Sequence, residues 1–348
     1  MREEIVYLEP RGAFHLGERG IGLEETSPLL HADTLYAALG VAWAMLFGEP
    51  ALAEEWFRPE PPVLISSAFP FAGPVRFYPR PYLPVRGPAL PFSLKDIAFV
   101  SEGVLRRMLA GQPPEEGVRI HEGTVWMTGE EAEALRAAFG RRELAGERFW
   151  ARHRIPRVAL DLATQTSSLW HFGRLVFWEA GPHPKARAGL FFRVRYRDPA
   201  SADRFRAAVR LLGDHGIGGD RTAGHGLFVP RFEPADPLGD PAAPAFVTLA
   251  PVYPPRDQIE ALLGEAARYG WLTRSGWIGG RLAMPYRRRA VRMLAEGSLL
   301  TGDPRGLWGA MADVTPRETP EALPHPIYRY GFAFPIGVSK EALPETGA

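Results

Sequence analysis

Four histidines are the best candidates in this sequence for acid–base chemistry. His15, His31, His171 and His225 each lie in or near a glycine-rich or aromatic segment. Because imidazole titrates close to neutral pH, one of them could act as general acid or base. The sequence has no identifiable His-Lys-Tyr arrangement, no HExxH or HxH pair and no carboxylate cluster typical of a metal site. We therefore expect no catalytic residue, metal or cofactor, and a structural or RNA-stacking role for His15.

The segment 213–228, GDHGIGGDRTAGHGLF, has a composition suited to binding phosphate. Six of its sixteen residues are glycine, and its only strong positive charge is Arg221. Glycine lacks the Cβ that would hold a phosphate away and permits a positive φ, so that successive N–H groups can form an anion-binding nest. Arg221 could add a charge-assisted contact. We expect this loop to contact an RNA backbone through Gly216, Gly218, Gly219, Arg221, Thr222, Gly224 and His225.

A nucleotide-cofactor site is disfavoured by the order of the elements around this loop. The loop follows a predicted helix and precedes a predicted strand, whereas Rossmann and P-loop glycines follow a strand and open a helix. The sequence contains no GxxxxGK[ST] motif, and Gly216-Ile217-Gly218 lacks a third glycine in register. A flexible linker is the plainer alternative, but linkers do not usually end in a well-formed hydrophobic strand.

The charges are unevenly distributed although the net charge is only +1. Residues 1–60 hold eleven acidic and four basic residues, and we expect part of this surface, including Glu54 and Glu55, to dock a protein neighbour; a solvated helix end is the alternative. Basic runs occur at 141–157, 185–197 and 274–292. Each could be a solvated face, but beside glycine and aromatic residues such runs favour a polyanionic partner. The candidate RNA contacts in them are Arg154, Arg157, Trp277, Arg281 and Arg287, with Trp277 offering a stacking surface for a base.

Two features of the composition limit where the protein can act. The sequence has no cysteine, which excludes disulfides, thiolate zinc sites and a cysteine nucleophile. No signal peptide is visible, and the most apolar run, at 35–47, is too short to span a bilayer. We expect a cytoplasmic protein without a membrane partner.

The elements that must position these residues follow from hydrophobic periodicity. Strands are predicted at 3–9, 168–178, 189–197 and 226–232, with 168–178 paired to 189–197. Helices are predicted from Asp33 to about Phe47, at 130–139 and at 201–213, with Asp33 and Ser201 as N-caps. With a proline-rich insertion at about 50–155 set aside, the order is β-α-β-β-α-β, the ferredoxin-like pattern.

The second half of the chain has a weaker copy of the same pattern. Strands are predicted at 246–253 and 271–277 and again up to residue 336, with a helix at 255–270. The sequence therefore predicts an α+β fold of two ferredoxin-like (RRM-like) domains, the second degenerate. Their predicted bounds are 1–235 and 246–348, with a linker at 236–245.

Several segments resemble one family of CRISPR proteins. GIGGDRTAGHGLF on a helix–loop–strand is similar to the glycine-rich loop of the RAMP superfamily. Residues 11–39, RSGWIGGR (274–281), AEGSLL (295–300) and HPIYRYGFAFPI (325–336) resemble the fourth-subunit family of the type III-A Csm effector complex. The resemblance touches both halves of the chain, and residues 50–150 carry little of it.

The resemblance implies a non-catalytic subunit of a ribonucleoprotein. Such a subunit holds the repeat-derived 5′ tag of the guide crRNA and contacts the large signature subunit and a backbone RAMP subunit; target RNA is met only indirectly. The family motifs correspond to His15–Glu18, Ala32–Thr34 and the glycine loop, which adds His15, Gly17 and Arg19 to the expected RNA contacts. Two alternatives stay open: a RAMP endoribonuclease that processes guide precursors, and the equivalent subunit of the type III-B complex.

Overall fold

A computed structural model describes residues 2–17, 24–87, 90–113, 115–144, 146–161, 166–178, 187–278, 286–317, 323 and 325–345. Its helices are α1 (Ala32–Phe47), α2 (Glu102–Leu109), α3 (Gly129–Phe139), α4 (Ala202–His215) and α5 (Ile259–Leu262). Its strands are β1 (Glu3–Pro10), β2 (Val63–Ile65), β3 (Phe69–Ala72), β4 (Val75–Pro79), β5 (Phe99–Ser101), β6 (Val118–Ile120), β7 (Val125–Met127), β8 (Trp150–Asp161), β9 (Thr166–Phe177), β10 (Ala188–Tyr196), β11 (Phe228–Pro234), β12 (Ala245–Thr248), β13 (Trp271–Arg274), β14 (Val291–Leu294), β15 (Leu299–Thr301), β16 (Ala312–Asp313), β17 (Tyr328–Arg329) and β18 (Pro335–Val338). No helix of these ranges is long and apolar enough to cross a membrane.

The largest sheet of the described residues has nine strands, and β1 lies between β11 and β10. Its order is β11-β1-β10-β3-β4-β5-β7-β6, and β2 pairs with β10 beside β3. All pairings of β1 and β10 are antiparallel. Five consecutive side chains of β1 are buried, as expected for a central strand covered on both faces.

Helices α1 and α4 pack against each other. On α4, Phe205, Val209 and Leu212 are buried, a spacing of three to four residues that places them on one helical face. On α1, Leu35, Leu39 and Trp43 meet the core in the same way. On α4 the amphipathic pattern therefore determines which side is buried, whereas α1 is apolar along almost its whole length and also exposes apolar side chains on its outer side.

The two halves of the chain share a hydrophobic core, and the C-terminal half also has a smaller buried cluster of its own. β12 lies between β15 and β18 in a three-stranded sheet, and β13 pairs with β14 as a separate ribbon. Val247, Phe334 and Ile336 belong to the same buried cluster as the apolar residues of β1 and α1. The C-terminal half thus packs onto the N-terminal half through apolar contacts as well as through charges.

A buried carboxylate links the two halves. Asp33 in the first turn of α1 accepts two hydrogen bonds from Arg274 of β13, Nε–Oδ2 at 3.0 Å and Nη2–Oδ1 at 3.1 Å. Arg329 of β17 also pairs with this carboxylate, and its Nη2 donates to Ser275 O at 3.0 Å. Burial would raise the pKa of Asp33, but the two guanidinium groups lower it well below its usual value.

Several sequence predictions are confirmed. The helix at 130–139 is α3, which begins with a capping box between Thr128 and Glu131. The helix at 201–213 corresponds to α4, and the strands at 3–9 and 226–232 to β1 and β11.

The predicted pairing of 168–178 with 189–197 is wrong. β9 pairs with β8 along its whole length, and β10 pairs with β1, β2 and β3. Strand β8 escaped prediction because its sequence is rich in arginine and contains Pro156. Residues 63–72, assigned to an insertion at about 50–155, instead supply two strands next to β10 in the largest sheet.

Two smaller predictions also fail. The predicted helix at 255–270 is limited to a 3₁₀ turn, Arg256–Gln258, followed by α5. The helix ends there because the N–H of Gly264 donates to Thr301 Oγ1 at 3.2 Å.

Asp33 is not the N-cap of α1. His31 occupies that position without a side-chain hydrogen bond, and Asp33 binds the two arginines instead. Ser201 is at the N-cap of α4, but its side chain makes no capping bond.

Asp33→Asn should destabilise the fold by about 3–5 kcal/mol, the usual cost of leaving buried charges without their partner. The substitution keeps the shape of the side chain but removes the negative charge between Arg274 and Arg329. Urea unfolding of the full chain measures the effect. Asp203→Asn, at a carboxylate that is almost fully exposed, is the control and should change the midpoint little. Equal midpoints for Asp33→Asn and the wild type would contradict the proposed importance of this network.

Candidate RNA-binding surface

The glycine-rich segment forms a folded loop between α4 and β11. The chain leaves α4 through Gly216, passes a 3₁₀ turn at Arg221–Ala223 and enters β11 at Phe228. Ile217 N donates to Gly226 O at 3.0 Å, which closes the neck of the loop. Gly219 N donates to His15 O at 3.0 Å and Gly226 N to Ala13 O at 2.9 Å, so the loop is bonded to the segment after β1.

Internal packing explains several of the glycines. A Cβ on Gly226 would lie 2.0 Å from Ile217 O, and one on Gly218 would lie 2.3 Å from His15 O. Both residues also have positive φ, +80° and +96°. A Cβ on Gly216 would come within 2.9 Å of His225 O, and one on Gly219 within 2.6 Å of His15 Cδ2. These positions need glycine to close the loop, whether or not RNA is bound.

At the tip of the loop, Gly224 has open space where a side chain would be. A Cβ on Gly224 would meet nothing within 4 Å, although φ there is +82°. Arg221, Thr222 and Ala223 are exposed beside it. Gly17, in the segment after β1, is similarly open, since a Cβ there would lie 3.9 Å from His15 Nε2. The tip, 221–224, is therefore a continuous exposed part of the loop, and it carries the one arginine of the loop.

A cluster of aromatic rings lies between the loop and the β8–β9 hairpin. The His15 ring packs on Phe172 with centroids 4.5 Å apart, and the His225 ring meets Phe172 edge-on at 5.4 Å. His15 Nδ1 is 2.6 Å from Gly173 O. Because a carbonyl oxygen can only accept, Nδ1 carries the proton and donates. The cluster joins the hairpin to the loop and to the segment after β1.

The carboxylate of Asp220 is the negative charge of this cluster, and it contacts both Arg157 and His225. Arg157 Nη2 of β8 donates to Asp220 Oδ2 at 2.5 Å, and the Arg157 guanidinium lies 4.5 Å from the centre of the Phe172 ring. His225 Nδ1 lies 3.4 Å from the same carboxylate oxygen. Arg157, predicted to contact RNA, is thus paired inside the protein, and Asp220 holds the loop against the hairpin.

The other residues predicted to contact RNA do not lie together in one place. Arg154 is exposed on β8, 3.8 Å from Glu24 Oε2. Trp277 is half-exposed beside Arg287, whose guanidinium is 5.1 Å from the ring centre. Arg19 and Arg281 lie outside the described residues.

The four histidines do not form one site. His15 and His225 meet around Phe172, while His31 Nδ1 bonds Glu296 Oε1 at 2.6 Å and His171 is exposed on β9. In the described part of the chain, no three histidine, aspartate or glutamate side chains are grouped to hold a metal ion.

Sequence reasoning missed Phe172 and Asp220, the two residues that organise the cluster. Asp220 stands between the glycines and Arg221 and was visible in the GGDR motif. Its partner Arg157 lies 63 residues earlier in the chain, so no local pattern connects the two.

Comparison with known proteins links both halves of the chain to one family. A family model described as the CRISPR Csm4 C-terminal domain matches residues 242–338. The chain is 31% identical over 316 residues to the CRISPR system Cms protein Csm4 of Thermococcus onnurineus (strain NA1), covering 90% of this chain and 92% of that protein. It is 26% identical over 341 residues to the protein of the same name from Mycobacterium tuberculosis (strain CDC 1551 / Oshkosh), with 96% of each covered.

Solved structures have a similar fold. A chain in the crystal structure of a Csm3–Csm4 subcomplex of the type III-A CRISPR-Cas interference complex matches with a TM-score of 0.65 and 16% identity, over 97% of this chain and 100% of that one. A chain in a Csm1–Csm4 cassette in complex with cA4 matches with a TM-score of 0.55 and 22% identity, over 99% and 100%. At these identities the two matches establish a shared mixed α+β fold.

Gly226→Ala should lower the melting temperature much more than Gly224→Ala. Both substitutions place a side chain at a positive φ, which costs about 1–2 kcal/mol. Only the Gly226 side chain would also collide with a backbone carbonyl, that of Ile217. Thermal unfolding of the two variants measures the difference. Equal melting temperatures would show that the neck of the loop opens without cost.

Proposed function

The chain belongs to the Csm4 family, and on that premise we propose that it is a non-catalytic, guide-RNA-binding subunit of a type III-A CRISPR (Csm) effector complex. The observation that carries the RNA-binding part is the exposed tip of the glycine loop, Arg221–Gly224, held in place by internal bonds at its neck. A phosphate can approach this tip because no side chain covers Gly224.

The fold supports a RAMP interpretation of the N-terminal half. The elements β1, α1, β2/β3, β10, α4 and β11 follow the order β-α-β-β-α-β, and their strands lie in the order β11-β1-β10-β2/β3. We interpret them as a ferredoxin-like domain ending near residue 235. In this interpretation 246–348 is the second, degenerate domain, and β4 to β7 elaborate the first.

The loop is suited to the sugar–phosphate backbone rather than to a nucleotide cofactor. Its one exposed arginine can pair with a phosphate, and Thr222 beside it offers a hydroxyl. The neck is closed by the bond from Ile217 N to Gly226 O, and the loop leads into strand β11 and not into an α-helix, whose N-terminus binds the pyrophosphate in cofactor sites. The 5′ tag of the crRNA is the part of the guide that we propose binds here.

The partners follow from the assemblies in which related chains have been solved. One is a Csm3–Csm4 subcomplex and another a Csm1–Csm4 cassette. We propose that this chain contacts the large subunit and a backbone RAMP subunit in the same way, in the cytoplasm, and meets target RNA only through the complex.

The acidic docking surface proposed for the first sixty residues needs one revision. Glu55 Oε2 lies 2.7 Å from an Arg204 nitrogen and accepts from Trp43 Nε1 at 3.2 Å, so it serves an internal contact. Glu54 is exposed and remains a candidate for docking the large subunit.

Substitutions at the loop tip test RNA binding. Arg221→Ala should weaken binding of a labelled repeat-derived RNA and reduce the slope of log K against log salt by about one, as expected for one lost phosphate contact. Gly224→Asp should weaken binding further because it adds a side chain and a negative charge at the open position.

The matched control is Arg256→Ala, at another exposed arginine in a 3₁₀ turn. It should leave the salt slope unchanged. If Arg221→Ala and Gly224→Asp bind RNA like the wild type while all variants melt alike, the loop is not the RNA contact.

One feature favours the alternative that the protein is a nuclease. The rings of His15 and His225 both contact Phe172 next to the loop. His15 is nevertheless buried, with Nδ1 bonded to Gly173 O. We expect the purified chain to leave repeat RNA intact in EDTA. Site-specific cleavage that is lost in His15→Ala or His225→Ala would show that the protein is an endoribonuclease.

A further inference from the structure

The β13–β14 ribbon exposes aromatic side chains that the core does not use. Its inner side is buried at Arg274 and Met293, which lie on the same face of the ribbon. Its outer side exposes Trp271, at 49% of its surface, and the adjacent Tyr269, at 38%. Burial of a tryptophan is a large source of stability, so half-exposure on a short strand calls for another explanation.

Arginines from the returning chain cover part of these rings. The guanidinium of Arg292 lies 4.6 Å from the centre of the Trp271 ring, and the Tyr269 ring meets Trp271 edge-on with centroids 5.6 Å apart. Six residues after Trp271, the centre of the Trp277 ring lies 5.1 Å from the Arg287 guanidinium, and these two residues form an isolated β-bridge. The tryptophan–arginine arrangement therefore occurs twice in this part of the chain, once within the ribbon and once just beyond its end.

The charges around these rings are positive. Segment 274–292 contains six arginines and no acidic residue. Arg289 pairs with Asp313 at 3.4 Å, but in the described part of the chain neither Arg287 nor Arg292 has a carboxylate partner. Their interactions are with the rings, which leaves their N–H groups available to an anion.

The back of the ribbon is firmly anchored. Arg274, at the end of β13, makes two hydrogen bonds with the buried Asp33 and a third with Thr34 Oγ1 at 2.9 Å. Since the ribbon is already ordered, a ligand on its outer side would bind without the entropic cost of ordering the strands.

We propose that the β13–β14 ribbon and the adjoining Trp277–Arg287 bridge form a second RNA-binding surface, on which Trp271 and Trp277 stack on bases of single-stranded RNA while Arg292 and Arg287 contact its phosphates. Every base has a π face, so such a surface accepts any sequence, and arginine supports both stacking and charge pairing. Tryptophan and arginine are also common in protein interfaces. The absence of acidic residues from segment 274–292 and the two ring–cation pairs favour RNA.

The inference rests on the proposed RNA-binding function but uses residues separate from the loop tip. The experiment measures binding of two labelled single-stranded RNAs of equal length, one with the repeat-derived tag and one unrelated, to the full chain. Trp271→Leu keeps an apolar side chain but removes the flat ring, and should weaken binding of at least one RNA about tenfold. Trp271→Phe should restore most of the affinity, and Arg292→Ala should reduce the salt slope by about one.

The chain contains a matched control. Trp178 is exposed to a similar degree, 44%, and Arg141 lies 5.6 Å from its ring centre. Trp178→Leu should leave RNA binding unchanged. Annealing each RNA to its complement, which hides the base faces, should remove the difference between wild type and Trp271→Leu.

The outcomes separate the two proposals. Normal binding by Trp271→Leu and Arg292→Ala, together with weaker binding by Arg221→Ala, would overturn the ribbon surface and leave the proposed function standing. No RNA binding by the wild-type chain would overturn the proposed function itself. If Trp271→Leu binds RNA normally but no longer copurifies with the large subunit, the ribbon is a protein interface. If Trp271→Leu fails to fold, Trp271→Phe and Arg292→Ala still decide the question.

Discussion

The carboxylate of Asp33 is the point at which the two halves of the chain depend on each other. It lies in the first turn of α1, and its charge is balanced by Arg274 of β13 and Arg329 of β17. Two residues earlier, His31 bonds Glu296, which also accepts from Ser67 Oγ at 2.5 Å. Burial would raise the pKa of Glu296, but His31 and Ser67 lower it. One short segment thus holds the C-terminal half through two buried charges, and each would be costly to leave alone.

Both candidate RNA surfaces are held in place by hydrogen bonds to the rest of the protein. The ribbon is held from behind by Arg274, and the loop by backbone bonds from Gly219 and Gly226 to the segment after β1. In each case the exposed side carries arginine. A surface that is ordered before binding loses little conformational entropy when the ligand binds. A few contacts with RNA can therefore be enough for stable binding.

The elements that sequence reasoning predicts correctly are those whose signal is local. Helices α3 and α4 and strands β1 and β11 are predictable because apolar periodicity and caps operate within a few residues. Strands β2 and β3 are obscured by the surrounding prolines, and Asp33 resembles an N-cap because its true partners are 241 and 296 residues away. The family resemblance is correct because it rests on motifs, and motif residues are recognisable without knowing what they touch.

The candidate site shows why residue types alone locate a surface but not its contacts. Gly224 and Gly226 have nearly the same φ, +82° and +80°, and only the neighbouring Ile217 carbonyl separates an open glycine from a packed one. Arg157 and Arg221 are both cations near the loop, but Asp220 neutralises the first. The basic run that contains Arg157 therefore overstates the charge available to RNA, because part of that charge is used to brace the loop that presents Arg221.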